Sequence, residues 1–170
     1  MSIKKKGKMG QSEVLEKREE KGSEMVRVYG VSDLHVDHSS NMKIVKEWRE
    51  KKREGEGETV KEVLLLGGDV SSELSLLEEA LTCAKQSFSR VFFVVGNNEM
   101  RLTRRDKKEF KFSNSFQKFE HILKLCEKLG VETKPAMLSE KLFILPLFSW
   151  YSPFFHNKFK SEGDVSLGTK

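Results

Sequence analysis

The sequence predicts an α/β fold, a parallel β-α-β-α-β sheet with helices between its strands, and three observations predict it. Short runs rich in β-branched and apolar residues recur at Val26–Val31, Glu62–Leu66 and Val91–Val95, each of strand length. Between them lie segments whose apolar residues repeat at helical spacing. Each run also stops abruptly in a polar motif: Ser32-Asp33-Leu34-His35, Gly67-Gly68-Asp69 and Gly96-Asn97-Asn98-Glu99. Strand–helix alternation of this kind builds parallel sheets. Open sheets of that class place their chemistry beyond the carboxyl ends of the strands.

The elements follow in order. Residues 1–25 are rich in Lys, Glu, Ser and Gly and lack the apolar core of a secretory signal, so a disordered charged tail is expected. The first strand, Val26–Val31, opens a domain expected to run over residues 26–155. Asn41 to Arg53 carries Met42, Val45 and Trp48 at helical spacing, and Glu54–Thr59 is a glycine-broken connector. After the second strand, Ser71 or Ser72 can cap a helix with Leu74, Leu77, Leu81 and Ala84 on one face. Arg101–Lys111 reads as a charged loop with six basic residues against two acidic ones. Ser113 or Asn114 then caps a third helix whose apolar stripe is Phe116, Phe119, Leu123, Cys126 and Leu129, stopped by Gly130. Val131–Thr133 and Leu142–Leu145 read as two further short strands, and residues 156–170 as a polar tail.

Composition narrows the function classes. At 170 residues the chain suits one domain and is small for two. Its apolar runs are of strand length, far below the ~20 residues of a membrane helix, so no membrane partner is expected. The net charge of +5 is mild and comes without a dense basic block, which reads as a solvated surface rather than a nucleic-acid footprint. Cys83 and Cys126 are the only cysteines and are not clustered. They exclude a disulfide scaffold and a thiolate zinc site and fit a reducing, cytoplasmic setting.

The three polar motifs look like one metal site assembled from three strand tips. Asp33 and His35, one residue apart, can both turn toward one cation. Asp69 from the neighbouring strand can bridge two cations, and the Asn97 carbonyl can complete the second. Mixed carboxylate, imidazole and amide donors suit Mn, Fe or Zn. Two such cations ~3.5–4 Å apart clamp a phosphoryl group and generate a hydroxide nucleophile at neutral pH. Lone aspartates at strand ends more often only cap turns; it is the ordered triple that points to metal.

At these residues the chain resembles the calcineurin-like metallophosphoesterases. Their pattern is D-x-H, then G-D, then G-N-H-D or G-N-H-E, and here it stands as Asp33-Leu34-His35, Gly68-Asp69 and Gly96-Asn97-Asn98-Glu99. The stretches DLHVD, Asn41-Met42 and LFSWY are further similar to a plant and protist branch of that family. The resemblance covers roughly Val26 to Tyr151. It implies the first half of an α/β/β/α sandwich and a phosphoric-ester hydrolase acting on a phosphoester substrate. Asp33 and His35 would hold the first metal, Asp69 would bridge, and Asn97 would hold the second.

Two departures qualify what the resemblance implies. The family's substrate-contacting histidine is replaced by Asn98, whose amide donates a hydrogen bond but cannot titrate, so acid–base help worth ~10²–10⁴-fold would be lost. The family's later lone histidine and G-H-x-H motif have no counterpart: after Asn98 only His121 and His156 remain. His121 falls on the polar face of the third helix, where solvation is expected, and His156 lacks the motif's context. A shortened form of the family domain is therefore expected, its sheet exposed on one face and open to a covering protein. The alternative reading is a non-catalytic binding or regulatory module built on a degenerate phosphoesterase fold.

Overall fold

The structure is a computed structural model and describes residues 25–51 and 60–149. The two expected tails, Trp150-Tyr151 and His156 lie outside the described residues, apart from Met25, where the first strand begins. Five strands and three helices follow in the order β1 (Met25–Val31), α1 (Ser39–Lys51), β2 (Val60–Leu66), α2 (Leu74–Ser87), β3 (Arg90–Phe93), α3 (Ser115–Leu129), β4 (Ala136–Ser139) and β5 (Leu142–Ile144), with a single π-turn at Asp106–Phe110. The first three strands form a parallel sheet in the order β1-β2-β3, and β4 and β5 form a separate antiparallel pair.

The register decides where the site can be. Val31 pairs with Leu66, and Leu66 with Phe93, so the three strands end level and their polar motifs emerge side by side. The same register divides the sheet into two faces, because successive side chains alternate. Val31, Leu64, Leu66, Val91 and Phe93 point into one core with Met42 and Val45 of α1, Leu77, Leu81 and Ala84 of α2, and Ile122 and Cys126 of α3. All three helices thus cover one face. Phe93 is fully buried there, worth roughly 1.5–3 kcal/mol of transfer free energy. Val28, Gly30, Leu65 and Val94 point the other way.

Several expectations are corrected. The residue at the start of α2 is Glu73, with no side-chain cap bond; the Ser71 hydroxyl instead accepts from the Glu73 N–H just outside the helix. At α3 the expectations hold: the cap is Asn114, whose side chain accepts from Gln117 N, and Gly130 closes the helix at φ 69°. The buried face of α3 is Lys118, Ile122, Leu125 and Cys126, while Phe116 is 71% exposed and Phe119, Leu123 and Leu129 pack half-buried at the core's edge. The helix is turned this way because Lys118 reaches inward to the loops beyond β2 and β3. Val131–Thr133 contributes only a single parallel bridge, Phe92 to Glu132. The partner of β5 is β4, which the pattern of the sequence does not announce. Among the described residues no helix is long and apolar enough to cross a membrane.

Candidate metal centre

The ladder between β1 and β2 does not stop where the strands stop. Gly67 N donates to Val31 O (2.8 Å), Asp33 N to Gly68 O (3.1 Å), His35 N to Asp69 O (3.0 Å) and Val36 N to Val70 O (2.8 Å). This continued pairing holds Asp33, His35 and Asp69 in left-handed backbone conformations, at φ 56°, 42° and 54°. Each costs on the order of 1–3 kcal/mol for a residue with a Cβ, and such positions concentrate at functional sites. The turn conformation brings the three side chains together: one ligand atom from each lies within 4.8 Å of the others. Ligands ~2.1 Å from a shared cation stand ~3.0–3.4 Å apart at tetrahedral or octahedral angles, so a cation would draw the three atoms together by up to about 1.5 Å. The donor set and spacing fit a hard or borderline divalent ion.

Asn97 is exposed and lines an open cleft of about 250 Å³ together with Asp33, Asp69 and Gly96. Leu147 and Ser149, from the segment after β5, form its far wall. The neighbouring residue, Asn98, donates its backbone N–H to Asp69 Oδ1 at 2.9 Å, which ties the third motif to the second. A larger hollow of about 610 Å³ lies between α3 and residues 131–136. It holds no ligand-type cluster; among the described residues, Asp33, His35 and Asp69 form the only one.

Glycines set the closeness of the loops. Gly68 has φ 93°, and a Cβ there would meet Gly96 Cα at 2.8 Å. At Gly96 a Cβ would lie 2.3 Å from Asp69 Oδ1 and 2.5 Å from Asp69 N. A side chain at Gly68 would press on the Gly96 backbone, and one at Gly96 would displace Asp69.

Three residues stand behind Asp33, His35 and Asp69. Glu99 is fully buried, and its carboxylate accepts from Gly96 N (2.7 Å), Asp69 N (2.9 Å) and Ser71 N (2.9 Å). Burial holds its carboxyl above the usual carboxylate range, while the N–H groups of Ser71, Gly96 and Asp69 pull it back. Ser71 also donates its hydroxyl to Asp37 at 2.6 Å. Asn41, at the start of α1, donates its amide to the carbonyls of Leu34 (2.8 Å) and His35 (3.3 Å) and so braces the first ligand loop. Lys118 donates to Ser72 O (2.6 Å), Arg101 O (2.7 Å) and Asp106 Oδ2 (2.7 Å). Sequence pattern marks Glu99 only as the end of a motif, and it gives no sign of Lys118.

His121 is half-buried rather than fully solvated: it packs edge-on against the ring of Phe110 (5.1 Å) and tilted against that of Phe112 (5.4 Å). Neither cysteine forms a disulfide, and burial pushes the Cys126 thiol up to about 12, which leaves it unreactive.

No protein-family model matches the chain. It is 24% identical over 106 residues to the acyl-carrier-protein phosphodiesterase PptH of Mycobacterium tuberculosis, a match covering 62% of this chain and 30% of that protein. The crystal structure of phosphopantetheinyl hydrolase (PptH) from the same organism shares the fold, with a TM-score of 0.58 at 21% identity, covering 74% of this chain and 43% of that one. The chain therefore spans less than half the length of these relatives.

Proposed function

We propose that this chain is a metal-dependent phosphoric-ester hydrolase of calcineurin-like type that acts on a phosphodiester. The observation that carries the reading is the convergence of Asp33, His35 and Asp69 within 4.8 Å, at level strand ends and beside Asn97. Asp33 and His35 would hold one cation, Asp69 would bridge, and Asn97 would hold a second, with Mn, Fe or Zn as the fitting metals. When bound, such cations lower the pKa of water and neutralise charge on phosphoryl oxygens. The chain's own part is orientation. The Asn98 N–H fixes one Asp69 oxygen, the Glu99 carboxylate holds both loops at a set separation, and the Asn98 amide offers a donor to a phosphoryl oxygen. No group at Asn98 can give a proton to the leaving oxygen, so turnover is impaired.

The relative named for an acyl-carrier-protein phosphodiester makes a protein-borne phosphodiester the substrate class we assign. The exposed apolar face of the sheet is the place for a covering polypeptide, which would bring further donors to the cations. The free energy of that cover is the hydrophobic burial of the open face.

The test is hydrolysis of a chromogenic diester, bis(p-nitrophenyl) phosphate, and of the corresponding monoester, with manganese and after chelation. The expected result is manganese-dependent turnover that disappears in Asp69→Asn and rises at least ~10²-fold in Asn98→His. Folded, manganese-binding protein with no turnover in any variant would leave the binding-module reading in its place.

A further inference from the structure

The basic segment after the third motif is not the plain loop its sequence suggests. Residues 104–110 coil into a helical turn that ends as the π-turn, closed by Lys111 at φ 59°. Its anchor is internal. Asp106 is buried; its Oδ2 accepts from Thr103 N (2.9 Å) and from Lys118 Nζ (2.7 Å), and its own N–H donates to Thr103 Oγ1 (3.1 Å). The remaining two Lys118 donors hold Arg101 O and Ser72 O. The one buried acid of the segment is thus neutralised by a lysine from outside it, and the segment's own cations stay at the surface.

Arg101, Arg104, Lys107, Lys108 and Lys111 are all exposed, and none has a carboxylate partner among the described residues; only Arg105 pairs, with Glu109. Among the described residues some surface cations elsewhere find acids, as Lys46 with Glu79 and Arg90 with Glu132, and others such as Lys43, Lys124, Lys134 and Lys141 do not; what sets this segment apart is five unpaired cations within residues 101–111. Arg104, Lys107, Lys108 and Lys111 also stand at three- and four-residue spacing, where like charges repel. The cluster adjoins the candidate ligands: Arg101 N donates to Asn98 O at 3.1 Å, and the seven residue steps from Asn97 to Arg104 span at most about 25 Å. That lies inside the footprint of a standard protein interface, roughly 800 Å² per partner.

We propose that this cationic turn is the docking surface for the acidic protein that carries the phosphodiester, setting the scissile group over the Asp33–His35–Asp69 cluster. The inference rests on the phosphodiesterase reading above and adds to it where the carrier binds. A protein partner is favoured over a nucleic acid because the cations stand beside one pair of stacked rings and not a row of them. Phe110 and Phe112 stack on each other at 5.4 Å and 17°, with His121 against both; Phe110 alone stays 41% exposed, short of the series of rings on which successive bases stack. The Lys118–Asp106 anchor holds the cations in place before the partner arrives, which lowers the ordering cost of binding.

The experiment is fluorescence anisotropy with labelled holo-acyl carrier protein, an acidic carrier bearing phosphopantetheine, at low and at physiological salt. Wild type is compared with Arg104→Glu/Lys107→Glu/Lys108→Glu and with the milder Lys107→Gln/Lys108→Gln. The expected result is binding weakened by salt, lost by about 10- to 100-fold in the triple variant and by less in the double. Manganese binding by calorimetry and hydrolysis of bis(p-nitrophenyl) phosphate should not change in either. A carrier affinity within about twofold of wild type in the triple variant, or tighter binding of a short single-stranded oligonucleotide than of the carrier, overturns the proposal. Loss of metal binding and small-diester turnover in wild type would instead sink the hydrolase reading, and the anisotropy result would stand apart from it.

Discussion

The two faces of the three-stranded sheet are built from the same kinds of residue and end in opposite states. On one, α1, α2 and α3 seal Leu64, Leu66, Val91 and Phe93 from water. On the other, Val28 is 42% exposed, and the antiparallel pair with the segment after it leaves Phe143 at 58% and Leu147 at 68%. Val63 and Phe92 are the well-covered residues there, Phe92 by the Arg90 guanidinium 5.0 Å over its ring, itself held in a bidentate pair with Glu132. Between the sheet and residues 144–147 an apolar hollow of about 390 Å³ remains open. The difference separates two tasks. The ligand loops rest on backbone bonds and on Glu99, Asn41 and Lys118, all on the sealed side or at the strand ends, so ligand placement needs nothing from the open face. The cleft's far wall, Leu147 and Ser149, belongs to the segment that crosses the open face. A cover there would therefore close that side of the cleft.

The largest effect expected is on the sealed face. Phe93→Ala empties the centre of the core and should cost about 3–5 kcal/mol, a large part of the 5–15 kcal/mol typical of a small domain. Urea unfolding followed by circular dichroism measures it. A loss below about 1 kcal/mol would mean that the helices do not seal this face, and the contrast between faces would collapse.

The next effect lies at the strand ends. Glu99→Gln replaces an acceptor-only carboxylate, bonded to three backbone N–H groups, by an amide that must turn an NH₂ toward one of them. Manganese affinity should fall about 10–100-fold, the usual consequence of disturbing a group that orients ligands, and calorimetry reads it directly. Unchanged affinity would show that the Asp69 and Asn97 loops hold their separation without Glu99.

Much of this was legible in the sequence, and the part that was not has a physical cause. The parallel sheet announced itself because strands buried in such sheets are continuous apolar runs, and their ends were marked by Gly68-Asp69 and Gly96-Asn97, where only small or turn-forming residues fit. Asp33, His35 and Asp69 come together as their motif order suggests. Lys118 was illegible because a lysine at a helical position reads as surface; its burial depends on Asp106, which lies twelve residues earlier in a segment whose charge also looked solvated. The stripe of α3 was read through Phe116 for the same reason, since periodicity cannot tell which of two adjacent faces a buried ion pair will claim. β4 carried no alternation strong enough to mark it. His121 looked polar, yet Phe110 and Phe112 come back from the π-turn to meet it.

The smallest effect on stability belongs to the open face, and it is the sharpest test of the contrast. Phe143→Ser with Leu145→Ser removes two side chains that are 58% and 57% exposed and leaves no cavity, so stability should move by no more than about 0.5 kcal/mol. Exposed apolar surface of this kind does cost something in solution, because it can be buried against another molecule. Sedimentation velocity of the wild type should therefore show self-association that falls in the double variant, while urea unfolding barely changes. If unfolding shifted as far as it does for Phe93→Ala, the segment after β4 would be part of the folded core. The open face would then already have its cover, and the place we assign to a second polypeptide would be filled by this chain.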